Sequence, residues 1–141
     1  MPIRTITNKM LIDTSGFFSL YDEADEYNRQ AVSFYEAAVV KRLTTNYVLA
    51  EYTALAHVRG VPRREIIKFS SRILDDKDVE IIWVGENLHR QAVALLRERA
   101  DKTYSLCDAA SFVVMRERGI SESLTTDKYF RQEGFVKLLE K

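Results

Sequence analysis

The stretch MLIDTSGFF, residues 10–18, decides the fold. An apolar run from Met10 to Ile12 stops at Asp13, then Thr14, Ser15 and Gly16 lead into a second apolar stretch, Phe17 to Tyr21. Strand, turn and helix are predicted in one short segment. Three more acidic residues stand in similar surroundings: Glu51 in NYVLAEYTAL, Asp108 in YSLCDAASFVV and Asp127 in SLTTDKYF. A fold that gathers these four carboxylates would surround a hard divalent cation with oxygen ligands.

Outward from that segment, Tyr27, Ala31, Phe34, Tyr35 and Ala38 recur at helical spacing and predict a helix over Asp25 to Val40. Strands are expected around Arg42 to Thr45, Val79 to Val84, Ser123 to Thr125 and Phe135 to Leu139. Helices are expected over Tyr47 to Val58, Pro62 to Leu74, Glu86 to Ala100 and Ser105 to Arg118, with a helical turn after Asp127. Gly60 and Gly119 suit helix stops and Pro62 a first turn. Short strands separated by helices of ten or more residues imply parallel pairing, hence an α/β fold, a three-layer α/β/α sandwich with a central parallel sheet. In such sheets the ligand crevice opens beyond the carboxyl ends of the strands, and Asp13 and Asp127 both follow a predicted strand.

Composition narrows the function classes. The 141 residues are a one-domain length, and no linker or repeat divides 1–141. Hydrophobic residues at 46% and charged residues at 30% exclude a disordered chain. The 21 basic and 21 acidic residues cancel, which excludes nucleic-acid binding through bulk charge. The single cysteine, Cys107, reads as a small core residue, and a chain without disulfides fits the cytoplasm. No apolar run approaches the roughly 20 residues that span a bilayer, and MPIRTITNKMLIDTS lacks a signal-peptide core, so no membrane association is expected.

Each acid also has a structural reading. Asp13 suits a helix N-cap, Asp108 completes a capping box with Ser105, and Asp127 favours the positive end of a short helix. Glu51 is different, because it lies on the inward stripe of its helix, where a carboxylate needs a partner. With only His57 and His89 in the chain, both read as surface or packing residues, a metal-free mechanism with paired histidines is disfavoured.

Taken in order, IDTSGFFSLYD, TTNYVLAEYTAL, YSLCDAASFVVMRERGI and SLTTDKYFRQEGF resemble the PIN-domain family, and within it the VapC-type toxin ribonucleases. The resemblance covers nearly the whole chain and is weakest over Arg59 to Asp101. It implies a metal-dependent endoribonuclease in which Asp13, Glu51, Asp108 and Asp127 take the family's four acidic positions and bind Mg²⁺ or Mn²⁺. Ser15 matches a hydroxyl residue near the first Asp, and Thr126 the residue before the last. It further implies an RNA substrate, a small antitoxin that covers the acidic cleft, and a homodimer. Phe17, Phe18, Tyr21 and Phe34 are candidate contact residues, some of them expected in the core instead. Arg59, Arg63, Arg64, Lys68 and Arg72 form a basic cluster that reads as a solvated helix face or an RNA track. A PIN-type binding module without nuclease activity, or an RNA-processing nuclease, is the competing reading. A receiver domain and a haloacid-dehalogenase-like phosphatase are disfavoured: no Asp ends Val79 to Val84, and position 15 is Ser.

Overall fold

A computed structural model describes residues 8–37 and 40–141 of the chain. Its elements are β1 (Asn8–Ile12), α1 (Thr14–Tyr21), α2 (Asn28–Glu36), β2 (Val40–Thr45), α3 (Asn46–Val58), α4 (Arg63–Asp75), β3 (Val79–Ile82), α5 (Glu86–Glu98), α6 (Leu106–Arg118), β4 (Glu122–Leu124), α7 (Lys128–Gln132) and β5 (Val136–Lys137). All five strands pair in parallel, in the order β3-β2-β1-β4-β5.

The apolar run that opens the chain's reading is the central strand. Met10 and Ile12 point into a core with Phe17, Phe18, Ala31, Val48, Tyr52, Phe69 and Ile73, from α1 to α4. Leu11, one residue out of phase, points into the opposite core with Ala92, Leu95, Phe112, Met115 and Phe130, from α5, α6 and α7. Alternation along one strand thus feeds two cores, and the sheet is covered on both faces as the three-layer expectation requires. The chain builds β2 and β3 on one side of β1, then crosses back to place β4 and β5 on the other. The order reverses between β1 and β4, which is where a crevice opens in such sheets.

Gly16 makes this junction possible. Its backbone lies so close to β4 that a Cβ there would stand 2.1 Å from the Leu124 carbonyl oxygen. Asp13 N–H donates to that same oxygen at 3.2 Å. The first turn of α1 is therefore seated on the end of β4, and any side chain at position 16 would lever it off.

A second anchor holds the other side. Glu133, at the end of α7, accepts from Arg99 Nε at 3.0 Å and Tyr104 Oη at 2.8 Å through one oxygen, and from Arg116 Nη2 at 2.8 Å through the other. Burial alone would raise its pKa, but these donors bring it down to about 2. The cluster ties α7 to α5, α6 and the loop between them.

The expected helix over Asp25 to Val40 is shorter. Asp22 Oδ1 accepts Ala24 N–H at 2.9 Å and Asp25 Oδ1 accepts Tyr27 N–H at 2.8 Å, so side chains hold residues 22–27 in turns. Ala38, placed on that helix by periodicity, and positions 1–7 lie outside the described residues. β3 ends at Ile82 because Val84 N–H turns to Asn46 Oδ1 at 2.6 Å, and β5 keeps only two of the five residues expected. Phe17 and Phe18 are corrected from candidate contact residues to core: both are buried, Phe17 edge-on to Tyr52 and Phe69. Tyr21 and Phe34 remain partly exposed. Among the described residues no helix is long and apolar enough to cross a membrane.

Gly16→Ala is expected to destabilise the fold by about 1–3 kcal/mol, because the obstructing atom is backbone and cannot rotate away. Thermal or urea unfolding of the variant measures this, and unchanged stability would contradict the close packing of α1 on β4.

Candidate active site

The five residues singled out by sequence, Asp13, Ser15, Glu51, Asp108 and Asp127, line one cleft of about 310 Å³ together with Thr14, Phe18, Leu55, Arg59 and Thr126. Asp13 occupies the N-cap position of α1, Asp108 is the third residue of α6, and Asp127 caps α7. Three helix N-termini meet there, and their partial positive charge favours carboxylates. Glu51 enters from the middle of α3, half-buried.

The structural and chemical readings of the aspartates prove compatible, because each uses only one oxygen for the fold. Asp108 Oδ2 accepts Ser105 N–H at 2.9 Å while Ser105 Oγ accepts Asp108 N–H at 3.0 Å, a complete capping box. Asp127 Oδ1 accepts Tyr129 N–H at 2.9 Å. Asp13, despite its position, makes no side-chain cap. Its Oδ2 accepts the hydroxyl of Thr125 at 3.0 Å, and its Oδ1 is buried with no hydrogen-bond partner among the described residues.

Proton accounting orders the hydroxyls around Asp13. A threonine hydroxyl has one proton. With Thr125 donating to the Asp13 carboxylate, the 3.1 Å contact between Ser15 Oγ and Thr125 Oγ1 must have Ser15 as donor. Ser15 Oγ in turn accepts Thr126 N–H at 3.0 Å, and Thr125 Oγ1 also accepts Asp127 N–H at 3.0 Å. The chain of donors runs from the β4–α7 loop through Ser15 and Thr125 and ends on Asp13. Thr125 is the residue that sequence reading missed. Its signal was present in the paired hydroxyls of SLTTDKYF, where only Thr126 had been singled out.

Charge is unbalanced in the cleft. Among the described residues, no Lys or Arg is within ion-pair distance of Asp13, Glu51, Asp108 or Asp127. Arg59, at the rim, lies over the Phe18 ring at 4.1 Å instead. Burial, then the nearby Asp108 charge, raises the Asp13 pKa to about 7, against the pull of the Thr14 backbone N–H and the Thr125 hydroxyl. Burial first, with the charges of Asp127 and Glu51 adding, raises Asp108 to about 6 although its bonds to Ser105 oppose this. One oxygen each from Asp13 and Glu51 and the Sγ of Cys107 lie within 4.8 Å of one another, a spacing suited to an ion. Cys107, expected in the core, is half-buried beside these acids; burial and then the Glu51 charge push its thiol well above its ordinary range. Of the histidines, His57 is exposed, and His89 bonds the Tyr47 hydroxyl through Nδ1.

The metal-free protein is therefore expected to be most stable near pH 4 and to lose stability as the pH rises to 7. Between about pH 4 and pH 7 the folded chain keeps protons that Asp13 and Asp108 have lost in the unfolded chain, so raising the pH through that window favours unfolding. At about 1.4 kcal/mol per tenfold change in proton affinity, the loss between pH 5 and pH 7 amounts to about 2–4 kcal/mol. Below about pH 4.5 the opposite sign applies to Glu133, whose stabilisation fades as it protonates. Unfolding in EDTA as a function of pH checks this, and stability that rises from pH 5 to 7 would contradict it.

No family model matches the chain. The chain is 29% identical over 129 residues to the 23S rRNA-specific endonuclease VapC20 of Mycobacterium tuberculosis, in both strain CDC 1551 and strain H37Rv, covering 92% of this chain and 97% of the relative. The crystal structure of Mycobacterium tuberculosis VapC20, a sarcin-ricin loop cleaving toxin, superposes with a TM-score of 0.83 at 27% identity over 93% of this chain and 99% of that one. With a five-stranded parallel sheet in the order β3-β2-β1-β4-β5 and a likeness that spans nearly both chains, this protein is similar in sequence and in fold to a VapC-type toxin.

Proposed function

We propose that this chain is a metal-dependent endoribonuclease, the toxin of a toxin–antitoxin pair, and that Asp13, Glu51, Asp108 and Asp127 hold its Mg²⁺ or Mn²⁺. The observation that carries this reading is Asp13 Oδ1, an acceptor buried without a partner among the described residues, in a cleft of four acids with which no described Lys or Arg forms an ion pair. A buried carboxylate oxygen left unpaired is costly unless something binds it, and an all-oxygen donor set suits a hard divalent ion. The relatives support RNA as the substrate, and 23S rRNA is the first substrate to test because VapC20 acts on it.

Within this reading a bound divalent ion supplies positive charge to the scissile phosphate and lowers the pKa of an attacking water. The protein's own residues do the rest. Thr125 fixes the Asp13 carboxylate by its Oδ2, which leaves Oδ1 as the atom that would hold the ion, and Ser15 holds Thr125 in its donating orientation. Asp108 and Asp127, each tethered through one oxygen by backbone N–H groups, present the other without loss of position. Glu51, which among the described residues makes no ion pair, is the group suited to binding the ion or to orienting the water. Arg59, at the rim on the Phe18 ring, is placed for an RNA phosphate. Arg64, Lys68 and Arg72 continue along the exposed side of α4, and among the described residues none of them forms an ion pair. A small antitoxin offering a basic side chain to the same four acids is the partner this charge distribution calls for, and a homodimer belongs to the same proposal.

Three outcomes are expected. Purified protein cleaves rRNA with Mg²⁺ or Mn²⁺ and not in EDTA, and Asp13→Asn and Asp108→Asn fall to background. Cleavage that persists in EDTA and in both variants would sink the reading. Thr125→Val, which leaves the acids in place, lowers activity by about 10–100-fold, the usual effect of removing a group that orients a metal ligand. Saturating Mg²⁺ removes the loss of stability between pH 5 and 7; a fall that is unchanged by Mg²⁺ would speak against ion binding by these acids.

A further inference from the structure

Cys107 has no part in the mechanism above, yet it stands at the ion site. Its Sγ lies within 4.8 Å of a carboxylate oxygen of Asp13 and of one of Glu51. The second observation is Asp13 itself: the residue is 4% exposed and its Oδ1 has no hydrogen-bond partner among the described residues. Two carboxylate oxygens and one sulfur are a donor set of mixed character, and sulfur favours zinc-like cations over magnesium. In a tetrahedral zinc site, with bonds of about 2.0–2.3 Å, neighbouring ligand atoms stand roughly 3.3–3.7 Å apart, so modest rotations of the half-buried Glu51 and Cys107 side chains close the set.

We propose that Asp13, Glu51 and Cys107 form a binding site for a thiophilic divalent cation of the Zn²⁺ class, overlapping the hard-ion site and excluding Mg²⁺ from it. The inference rests on the reading of Asp13 and Glu51 as hard-ion ligands. On binding, the S–H bond of Cys107 breaks, its proton goes to solvent, and the electron pair left on sulfur forms the bond to the cation; nothing is oxidised or reduced. The cation takes the free Asp13 oxygen and draws Glu51 towards Cys107, away from Asp108 and Asp127. Zinc-like ions thereby compete with the ion that would support cleavage.

Titration of the full chain with Cd²⁺ tests this, because a cadmium–thiolate bond absorbs in the ultraviolet by charge transfer from sulfur. The expected result is a band that saturates at one equivalent and is suppressed by Zn²⁺ and by a large excess of Mg²⁺. Cys107→Ser and Cys107→Ala, checked for folding by circular dichroism, abolish the band and weaken Cd²⁺ binding by roughly tenfold or more, while Mn²⁺ affinity changes by less than about threefold. Cd²⁺ binding without the band, or with equal strength in the folded variants, overturns the proposal. Mn²⁺ binding to the wild-type chain separates the two readings. A Cd²⁺ band without Mn²⁺ binding keeps the sulfur-containing site but removes the hard-ion reading and the proposed competition with it, whereas Mn²⁺ binding without the band keeps the hard-ion reading and overturns the thiophilic site.

Discussion

The hydrogen bond from Thr125 to Asp13 joins the two places where the chain's order reverses, and the rest of the site depends on it. It spans β1 and β4, which lie side by side in the sheet although more than a hundred residues separate them in sequence. Gly16 permits the approach, the Leu124 carbonyl receives the Asp13 N–H, and Ser15 and the loop N–H groups complete the junction. Asp13 is consequently held by one oxygen in a buried position, with the other left over. A carboxylate that merely capped α1 would have turned towards the helix N–H groups and away from Thr125.

The same arrangement sets the energetics. Four acids in one cleft repel one another, and burial adds to the cost, which is why Asp13 and Asp108 hold protons up to about pH 7 and pH 6. The fold offsets this with three helix N-termini, with the backbone donors on Asp108 and Asp127, and at a distance with the Glu133 cluster, which ties α7 to α5 and α6. Stability is lost locally and made up elsewhere, the pattern expected where a site is built for a ligand rather than for the fold.

Much of this was legible in the sequence. The apolar run ending at Asp13 identified the central strand, because a strand covered on both faces carries no polar alternation. Helix spacing located α3 to α6, and the shared context of four acids located the cleft. What stayed hidden depends on contacts between distant segments. The Thr125 hydroxyl, the closeness of Gly16 to Leu124 and the place of Cys107 beside Asp13 and Glu51 follow from strand register and helix docking, which no local pattern encodes. The turns at Asp22 and Asp25 cut short a helix that periodicity alone extends, since side chains there compete for backbone N–H groups. Phe17 and Phe18 read equally well as surface or core until α1 is seated on the sheet.

The central claim is that the unpartnered oxygen of Asp13 is kept for a cation. Anomalous scattering from crystals grown with Mn²⁺ tests it most directly, because the signal locates the ion without regard to activity. The account predicts a peak about 2.1 Å from Asp13 Oδ1, with Glu51 or Asp108 in the same coordination shell. Strong Mn²⁺ peaks elsewhere on the molecule, with Asp13 bound to none, would contradict it.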